Sequence, residues 1–248
     1  MMDLKLKDKV VLVTGAAQGI GLAVARGFAA EGAKLVLNDL NADALRAASA
    51  ELGGAAISIG DVGTREGVEV TVAAALAAHG RIDVLVNNAG ISNRASRIED
   101  VSDADWRKVF AVNLDSAFMM CRAAMESLRS SGGTIVNVAS LSGQRGSIIG
   151  NNLAYSAAKA AVIGLTVALA GEAAASGVRV NGVAPGPTET PHMRDVSPEN
   201  HAMLVRMTPL GRLAQAEDIA DLILFLASGR SRHITGEIVN INGGIYYG

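Results

Sequence analysis

The sequence predicts an α/β protein built on a doubly wound parallel sheet. Short apolar runs suited to buried strands alternate along the chain with longer segments that have helical patterning. The first run, Val10–Val13, is followed by a glycine-rich turn and an alanine-rich helix, which is how a strand–helix–strand unit begins. The chain has 248 residues and shows no repeat, linker or low-complexity segment, so we predict one domain over residues 1–248.

The predicted elements follow this alternation. Strands are predicted at Val10–Val13, Lys34–Asn38, Ala55–Gly60, Arg81–Asn87, Thr134–Val138, Val178–Ala184 and Glu237–Ile241. Helices are predicted up to Glu31, from Asn41, over Arg65–His79, after a capping box at Ser102–Asp105, over Ala154–Ala175 and over Gln215–Ser228. The Ala154–Ala175 helix is apolar nearly all round, which indicates either deep burial or an oligomer interface.

The composition indicates a well-packed soluble protein. Hydrophobic residues make up 50% of the chain and charged residues 19%. The net charge of −2 gives no electrostatic reason to expect nucleic acid or an acidic membrane as a partner. The single cysteine, Cys121, excludes an intrachain disulfide, and the four histidines show no metal-ligand spacing. We find no signal peptide and no segment approaching the roughly 20 apolar residues of a membrane span, so we expect a cytoplasmic protein.

A glycine-rich turn, Thr14–Gly21, separates the first strand from the first helix. Its glycines have the spacing G-x-x-x-G-x-G. We expect Gly15 to allow a tight turn, Gly19 to let the backbone approach a pyrophosphate, and Gly21 to let the helix pack close to the sheet. Because a helix N-terminus presents unpaired amides to phosphates, we predict a dinucleotide site here.

Asp39 ends the second strand, 18 residues after Gly21. An acidic residue at about this distance binds the adenosine ribose hydroxyls and repels the additional phosphate of NADP. The alternative is that Asp39 caps the helix that begins near Asn41. We favour the ribose role and therefore NAD over NADP. Asp61 and Val62 are candidates for contact with the adenine; the alternative is that Asp61, like most lone aspartates after a strand, is a cap or turn residue.

The stretch Ile135–Lys159 carries the candidate chemistry. It begins as a buried strand whose end carries Ser140 and Ser142. Tyr155 and Lys159 follow on a helix, where residues four apart lie on one face. We expect the lysine to lower the pKa of the tyrosine and a serine to hold a substrate oxygen. Such a group suits proton transfer to or from an alcohol or carbonyl oxygen.

Other polar residues follow the remaining strand ends. The Asn87–Gly90 turn suits backbone contact with a ligand. Asn113 lies among apolar residues and must be hydrogen-bonded if it is buried. The rigid turn Pro185–Thr190 leads into the polar segment Pro191–Pro209, and we predict a lid over a substrate at residues 187–210. The alternative is an ordinary surface insertion.

Taken together, these motifs resemble the short-chain dehydrogenase/reductase family over essentially the whole chain. The resemblance implies a single-domain Rossmann fold with a seven-stranded parallel sheet and helices on both faces, a nicotinamide cofactor and a homotetramer. Within the family, the chain looks like an NAD-preferring dehydrogenase of secondary alcohols or polyols. The matching segments are TGAAQGIG at Thr14–Gly21, NNAG at Asn87–Gly90, Asn113, Ser140, YSAAK at Tyr155–Lys159 and PGPTET at Pro185–Thr190.

The resemblance also implies individual roles. Tyr155 is the acid/base, Lys159 tunes it and holds the nicotinamide ribose, and Ser140 holds the substrate oxygen. Asn113 holds a water in a proton relay through Lys159. The implied cofactor contacts are Gly15, Gln18, Gly19, Ile20, Gly21, Asp39, Leu40, Asp61, Val62, Asn88, Ala89, Gly90, Tyr155, Lys159, Pro185, Gly186, Thr188 and Thr190.

Two positions depart from the family pattern. The family's serine usually precedes the tyrosine by thirteen positions, which points to Ser142, whereas the strand-end context points to Ser140 with two extra loop residues. We favour Ser140, with Ser142 as a second polar contact, because loops accept insertions readily. Thr188 stands where the family often has a branched aliphatic residue, and a contact through its backbone would make this change silent.

The sequence says less about the substrate than about the fold, the cofactor or the catalytic residues. The low aromatic content of 3% argues against a site that stacks on flat rings. The polar candidates for a substrate cleft favour a polyol, sugar or small hydroxy compound as the small-molecule substrate of a reversible NAD-linked hydride transfer. The alternatives are a 3-oxoacyl thioester reductase of the same family, which looks mostly NADP-dependent, and a non-catalytic nucleotide-sensing protein. The polar candidates are Asn93, Arg94, Ser142, Asn151, Asn152 and His192.

Overall fold

The computed structural model describes residues 3–92, 97–150, 152–194 and 196–247, without the side chain of His192. Strands run over Val10–Thr14 (β1), Lys34–Asp39 (β2), Ala56–Ile59 (β3), Val84–Asn87 (β4), Thr134–Val138 (β5), Arg179–Pro185 (β6), Thr188–Glu189 (β7), Ala214–Gln215 (β8) and Ile238–Ile241 (β9). Helices run over Gly19–Ala30 (α1), Ala42–Glu51 (α2), Arg65–His79 (α3), Asp103–Phe110 (α4), Ser116–Ser131 (α5), Leu141–Arg145 (α6), Leu153–Ala173 (α7), Pro198–Met207 (α8) and Ala216–Ala227 (α9).

Seven strands form one parallel sheet in the order β3-β2-β1-β4-β5-β6-β9. Helices α1, α2 and α9 cover one face, and α3, α5 and α7 cover the other. This confirms the predicted doubly wound Rossmann fold. The strand order reverses between β1 and β4, and the carboxyl ends of the strands at such a switch point are where open α/β sheets bind ligands. The short pair β7–β8 is separate from this sheet.

Strand β1 shows why an apolar run without polar alternation suits this fold. Val11 and Val13 pack into the core cluster beneath α1 and α9, whereas Leu12 packs into the cluster beneath α3 and α5. All three side chains are fully buried. Successive side chains of a strand point to opposite faces, so a strand covered on both faces needs apolar residues at every position.

Two predicted boundaries change for identifiable reasons. The long helix predicted after Ser102 is two helices, α4 and α5, joined by a π-helical turn at Ala111–Asp115. Strand β4 begins at Val84 rather than Arg81. The buried carboxylate of Asp83 accepts a hydrogen bond from the Val10 amide at 2.9 Å, and the Asp83 amide donates to the Val10 carbonyl oxygen at 2.9 Å. A side chain rather than a backbone carbonyl therefore satisfies the Val10 amide just before β4 begins.

The segment Leu153–Ser176, which contains α7, is long and apolar enough to cross a membrane by length and composition. This corrects the expectation that no segment approaches that length. In the structure α7 packs against β5 and β6, and its Lys159 side chain is buried in the fold. These contacts are those of a core helix of the domain. Two of its apolar side chains, Leu153 and Val167, remain exposed at 37% and 52%.

Candidate active site

A cavity of about 770 Å³ lies at the carboxyl ends of the parallel strands. Its walls are the glycine-rich turn, the ends of β2, β4, β5 and β6, the start of α7 and one side of α8. The structure therefore brings together residues that are far apart in the sequence. The predicted cofactor contacts that line the cavity are Gly15, Gln18, Gly19, Ile20, Asp39, Leu40, Asp61, Val62, Asn88, Ala89, Gly90, Tyr155, Lys159, Pro185, Gly186, Thr188 and Thr190.

The glycine-rich turn is fastened to the Asn87–Gly90 turn by two side chains. Thr14 Oγ1 accepts hydrogen bonds from the amides of Asn88 at 3.0 Å and Ala89 at 3.1 Å. In return, Asn88 Nδ2 donates to the carbonyl oxygens of Thr14 at 2.9 Å and Gly15 at 3.0 Å. The ends of β1 and β4 are thus held as one unit at the switch point of the sheet. Thr14 is a positioning residue that the sequence pattern did not single out.

Gly21 is not among the residues that line the cavity, and its contact with the cofactor stays a prediction. A Cβ atom at this position would collide with the carbonyl oxygen of Gly15 and lie 2.6 Å from Asn88 Nδ2. The missing side chain therefore lets α1 begin against the turn itself. Because the first amides of a helix lack partners within the helix, the start of α1 beside Gly19 suits an anionic pyrophosphate.

Asp39 holds the two turns beside it through both carboxylate oxygens. Oδ2 accepts a hydrogen bond from the Ala17 amide at 3.1 Å, and Oδ1 accepts one from the Asn41 amide at 3.0 Å. Helix α2 is capped by Asn41, whose Oδ1 accepts from the Ala44 amide. The capping alternative for Asp39 is therefore wrong, and its carboxylate lines the cavity beside the exposed Leu40.

Ser140, Tyr155 and Lys159 meet where β5 ends and α7 begins. The Ser140 side chain lies near the Tyr155 hydroxyl and favours its ionised form. The Lys159 ammonium lies 5.7 Å from the centre of the Tyr155 ring and donates to the Val138 carbonyl oxygen at 2.7 Å. Ser142 also lines the cavity, and its amide donates to Ser140 Oγ at 3.1 Å. The geometry thus supports Ser140 as the serine that acts with Tyr155 and leaves Ser142 as a second polar contact.

Burial dominates the acid–base properties of this group. Burial raises the pKa of Tyr155, and the hydrogen bond to Ser140 lowers that pKa by a smaller amount. Burial also lowers the pKa of Lys159 to about 8. The direction for Tyr155 is opposite to the expected lowering by the lysine. The reason is that burial outweighs the other effects on the phenol, while the Lys159 ammonium, only 3% exposed, donates to the Val138 carbonyl oxygen.

Asn113 lies behind Gly90, in the π-helical turn. Its Nδ2 donates to the carbonyl oxygens of Ile91 at 2.7 Å and Val109 at 2.8 Å. Its Oδ1 is buried and has no partner among the described residues. A Cβ on Gly90 would lie 2.8 Å from Asn113 Oδ1 and 3.5 Å from Lys159 Nζ. Because a buried carbonyl oxygen without a partner is costly, the space that Gly90 leaves between these two polar groups suits a water molecule.

The turn after β6 faces the glycine-rich turn. A Cβ on Gly19 would lie 3.5 Å from the Cβ of Thr190, so these two residues border the same part of the cavity. Thr188 Oγ1 donates to the Gly186 carbonyl oxygen at 2.9 Å. The Thr188 hydroxyl is therefore used within its own turn, and a cofactor contact through the Thr188 backbone stays a prediction.

The remaining walls come from α8 and from the loop before α7. Of the predicted substrate residues, Ser142 and Asn152 line the cavity. Asn93, Arg94, Asn151 and the side chain of His192 lie outside the described residues. Sequence patterning missed several lining residues, although a four-residue spacing on α8 connects Asn200 and Leu204. The lining residues here are Ser147, Ile148, Ile149, Gly150, Asn152, Pro187, Met193, Val196, Ser197, Asn200 and Leu204.

Comparison with known proteins establishes the family. A family model described as enoyl-(acyl carrier protein) reductase matches residues 15–246. A solved structure from Brucella melitensis, described as a short-chain dehydrogenase/reductase of the glucose/ribitol dehydrogenase type, superposes with a TM-score of 0.94. It is 38% identical in sequence, and the match covers 100% of both chains. The chain belongs to the short-chain dehydrogenase/reductase family. It is therefore an oxidoreductase that uses a nicotinamide cofactor.

Relatives within this family differ in the substrate that their names give. A D-threitol dehydrogenase from Mycolicibacterium smegmatis is 39% identical over 98% of this chain and 94% of that protein. The 3-oxoacyl-(acyl-carrier-protein) reductase FabG from Escherichia coli is 37% identical over 98% of this chain and 99% of that protein. Because the two identities are nearly equal, similarity does not decide between a polyol and an acyl thioester as the substrate of this short-chain dehydrogenase/reductase.

Proposed function

We propose that this protein transfers a hydride reversibly between NAD(H) and a secondary alcohol of the polyol, sugar or small hydroxy class. The observation that carries the proposal is the meeting of Ser140, Tyr155 and Lys159 in a cavity that Asp39 also lines. This reaction needs three groups: a phenol that transfers the proton, a hydroxyl that holds the substrate oxygen, and a carboxylate that binds the cofactor ribose.

Asp39 supports NAD rather than NADP. Its carboxylate is fixed by two backbone amides and lines the cavity. The additional phosphate of NADP would meet this negative charge. Within the described part of the chain, the charged side chains that line the cavity are Asp39, Asp61 and Lys159. Lys159 belongs to the catalytic group, so no described lining cation is left to balance that phosphate.

The residues of this chain divide the proton chemistry between them. When bound, the nicotinamide accepts the hydride in oxidation and supplies it in reduction. Tyr155 takes the hydroxyl proton in oxidation and returns it in reduction, while Ser140 holds the substrate oxygen. The positive charge of the nicotinamide ring in oxidised NAD would favour the phenolate of Tyr155. This effect opposes burial, which raises the pKa of Tyr155. Lys159 and Asn113 Oδ1, on either side of Gly90, hold a water that passes the proton onward.

The surroundings of the site fit the rest of the proposal. Residues 187–210 act as a lid, since α8 within this segment lines the cavity. The exposed apolar side chains of Phe118 on α5 and Val167 on α7 support a homotetramer, because contact between copies would cover them. We propose a cytoplasmic enzyme whose partner is a small-molecule substrate, with no nucleic acid or membrane partner.

A second candidate is reduction of a 3-oxoacyl thioester. The 37% identity to FabG favours it, and the same Ser140–Tyr155–Lys159 group would serve it. Asp39 argues against it to the extent that such a reductase depends on NADPH. The third possibility, a nucleotide-sensing protein without catalysis, would retain the cofactor cavity but has no need for the partly buried Tyr155 and the buried Lys159.

A substrate panel tests the proposal. Purified protein is mixed with polyols, sugars and simple secondary alcohols, each with NAD and with NADP, and reduced nicotinamide is followed by absorbance. We expect reduction of NAD by a polyol or related hydroxy compound and much slower reduction of NADP. Turnover only with NADPH and an acetoacetyl thioester would overturn both the cofactor and the substrate assignment. Tight NADH binding without turnover across both panels would support the sensing alternative.

A further inference from the structure

The side of helix α8 that lines the cavity carries both a polar and an apolar residue. Asn200 and Leu204 are four residues apart on α8, so they lie on one side of the helix, and both line the cavity. Met193 and Val196, in the segment that precedes the helix, line it as well. Asn200 therefore places a side-chain amide among apolar neighbours on a wall that is otherwise suited to excluding water.

The other polar residues near Asn200 on α8 have structural tasks. Ser197 is the N-cap of the helix, and its Oγ accepts the Asn200 amide at 3.2 Å. His201 is directed to Glu189, with 2.6 Å between Nε2 and Oε1. Neither contact uses the Asn200 side chain. Its amide has no such structural task among the contacts of the described residues, which leaves it for a ligand in the cavity.

Asn152 adds a second amide at the start of α7. It occupies the N-cap position, where asparagine usually accepts a hydrogen bond from the helix, yet its side chain makes no capping bond. It lines the cavity instead, three residues before Tyr155. A residue at a candidate site that does not make its usual local structural contact often has a functional role instead.

We propose that Asn200, together with Asn152, binds the hydroxyl groups of the substrate that do not react, and so makes a short neutral polyol the preferred substrate. This inference rests on the proposed function. A side-chain amide both donates and accepts hydrogen bonds, as a hydroxyl does. The described lining residues near these amides carry no charge, so they offer nothing to a carboxylate or phosphate on the substrate.

Apolar residues in the same cavity explain why a hydroxyl is selected there. Leu204 lies one turn from Asn200 on α8, and Val196 and Ile149 add further apolar lining, which limits the access of water. An alcohol that lacks the remote hydroxyl leaves the Asn200 amide without a partner, and a site built to hydrogen-bond a group rejects the analogue that lacks it. Recognition therefore acts on the binding of the polyol and not on the proton transfer at Tyr155.

Paired substrates measure this recognition. Threitol is compared with butan-2-ol, and ribitol with pentan-2-ol, in the wild type and in Asn200→Leu, with NAD saturating. We expect the ratio of kcat/KM for polyol over mono-alcohol to fall by about tenfold in Asn200→Leu, mainly through KM for the polyol. Activity on the mono-alcohol is expected to be retained, because Asn200 does not touch the reacting group.

Two further variants make the outcome decisive. Asn200→Ala must lower the same ratio, and its NADH affinity and thermal unfolding midpoint show whether the fold is intact. Glu199→Gln changes the neighbouring exposed residue of α8 and is expected to leave the ratio unchanged. An unchanged ratio in both Asn200 variants, with threitol or ribitol still oxidised, would overturn this inference and leave the proposed function standing. A wild type that oxidises no polyol would overturn both.

Discussion

Tyr155→Phe is expected to lower kcat for alcohol oxidation by about 10²–10⁴-fold while NADH binding stays close to that of the wild type. The variant removes one hydroxyl, which is the group near Ser140 that takes the substrate proton in the proposed reaction. The ring still packs against Ala154, Ala158 and Val109, so the fold and the cavity are retained. Steady-state rates and a fluorescence titration with NADH measure the two effects separately.

A matched control makes this result specific. Tyr246→Phe removes the same hydroxyl from a residue that does not line the cavity and is expected to keep wild-type rates. The wild type should oxidise alcohols faster as the pH rises, because burial raises the pKa of Tyr155 and more phenolate forms at higher pH. Reduction should slow over the same range, since it needs the protonated phenol. Retention of more than about a tenth of wild-type kcat in Tyr155→Phe would contradict the assignment of Tyr155 as the acid/base.

Asp39→Ser is expected to improve the binding of NADPH by about 10²–10³-fold and to weaken that of NADH. A carboxylate and a phosphate about 4 Å apart repel by roughly 4 kcal/mol per pair of charges at an effective dielectric constant of about 20. Serine removes the charge and keeps a hydroxyl that can replace part of the hydrogen bonding to the Ala17 and Asn41 amides. Dissociation constants for NADH and NADPH, measured by titration at one ionic strength, give the change in preference.

The control for this variant removes one negative charge from a different carboxylate close to Asp39 in the sequence. Asp43→Asn neutralises an exposed carboxylate on α2 that pairs with Arg46 and does not line the cavity. It should leave the ratio of NADH to NADPH affinity within about twofold of the wild type, because exposed charges are screened. If the wild type already binds NADPH more tightly than NADH, Asp39 does not set the cofactor preference and the NAD assignment is wrong.

The fold was predictable because its signals are local. Buried parallel strands need uninterrupted apolar runs, such as Val10–Val13, and the turn out of β1 needs glycine. The positions of Tyr155 and Lys159 on one helix face also follow from spacing alone. Ser140 and Tyr155 come from the end of β5 and the start of α7, and the strand-end context favoured Ser140 although the family's spacing pointed to Ser142.

The remainder depends on tertiary contacts that no local pattern contains. The π-helical turn at Asn113 and the role of Gly21 follow from how neighbouring turns pack against each other. The direction of the Tyr155 pKa shift was wrong because burial, rather than the adjacent lysine, dominates it. The spacing on α8 was visible in the sequence, but only the position of the helix against the cavity shows that Asn200 belongs to the site.

Deuterium tracing tests the central claim most directly. A polyol that the wild type oxidises is labelled with deuterium on the carbon that carries the reacting hydroxyl and incubated with NAD in ordinary water. The reduced cofactor is then analysed by NMR. Direct hydride transfer predicts deuterium on the nicotinamide ring of the reduced cofactor, taken from the substrate carbon. Reduced cofactor that carries only solvent hydrogen, or oxidised polyol without reduced cofactor, would contradict the account.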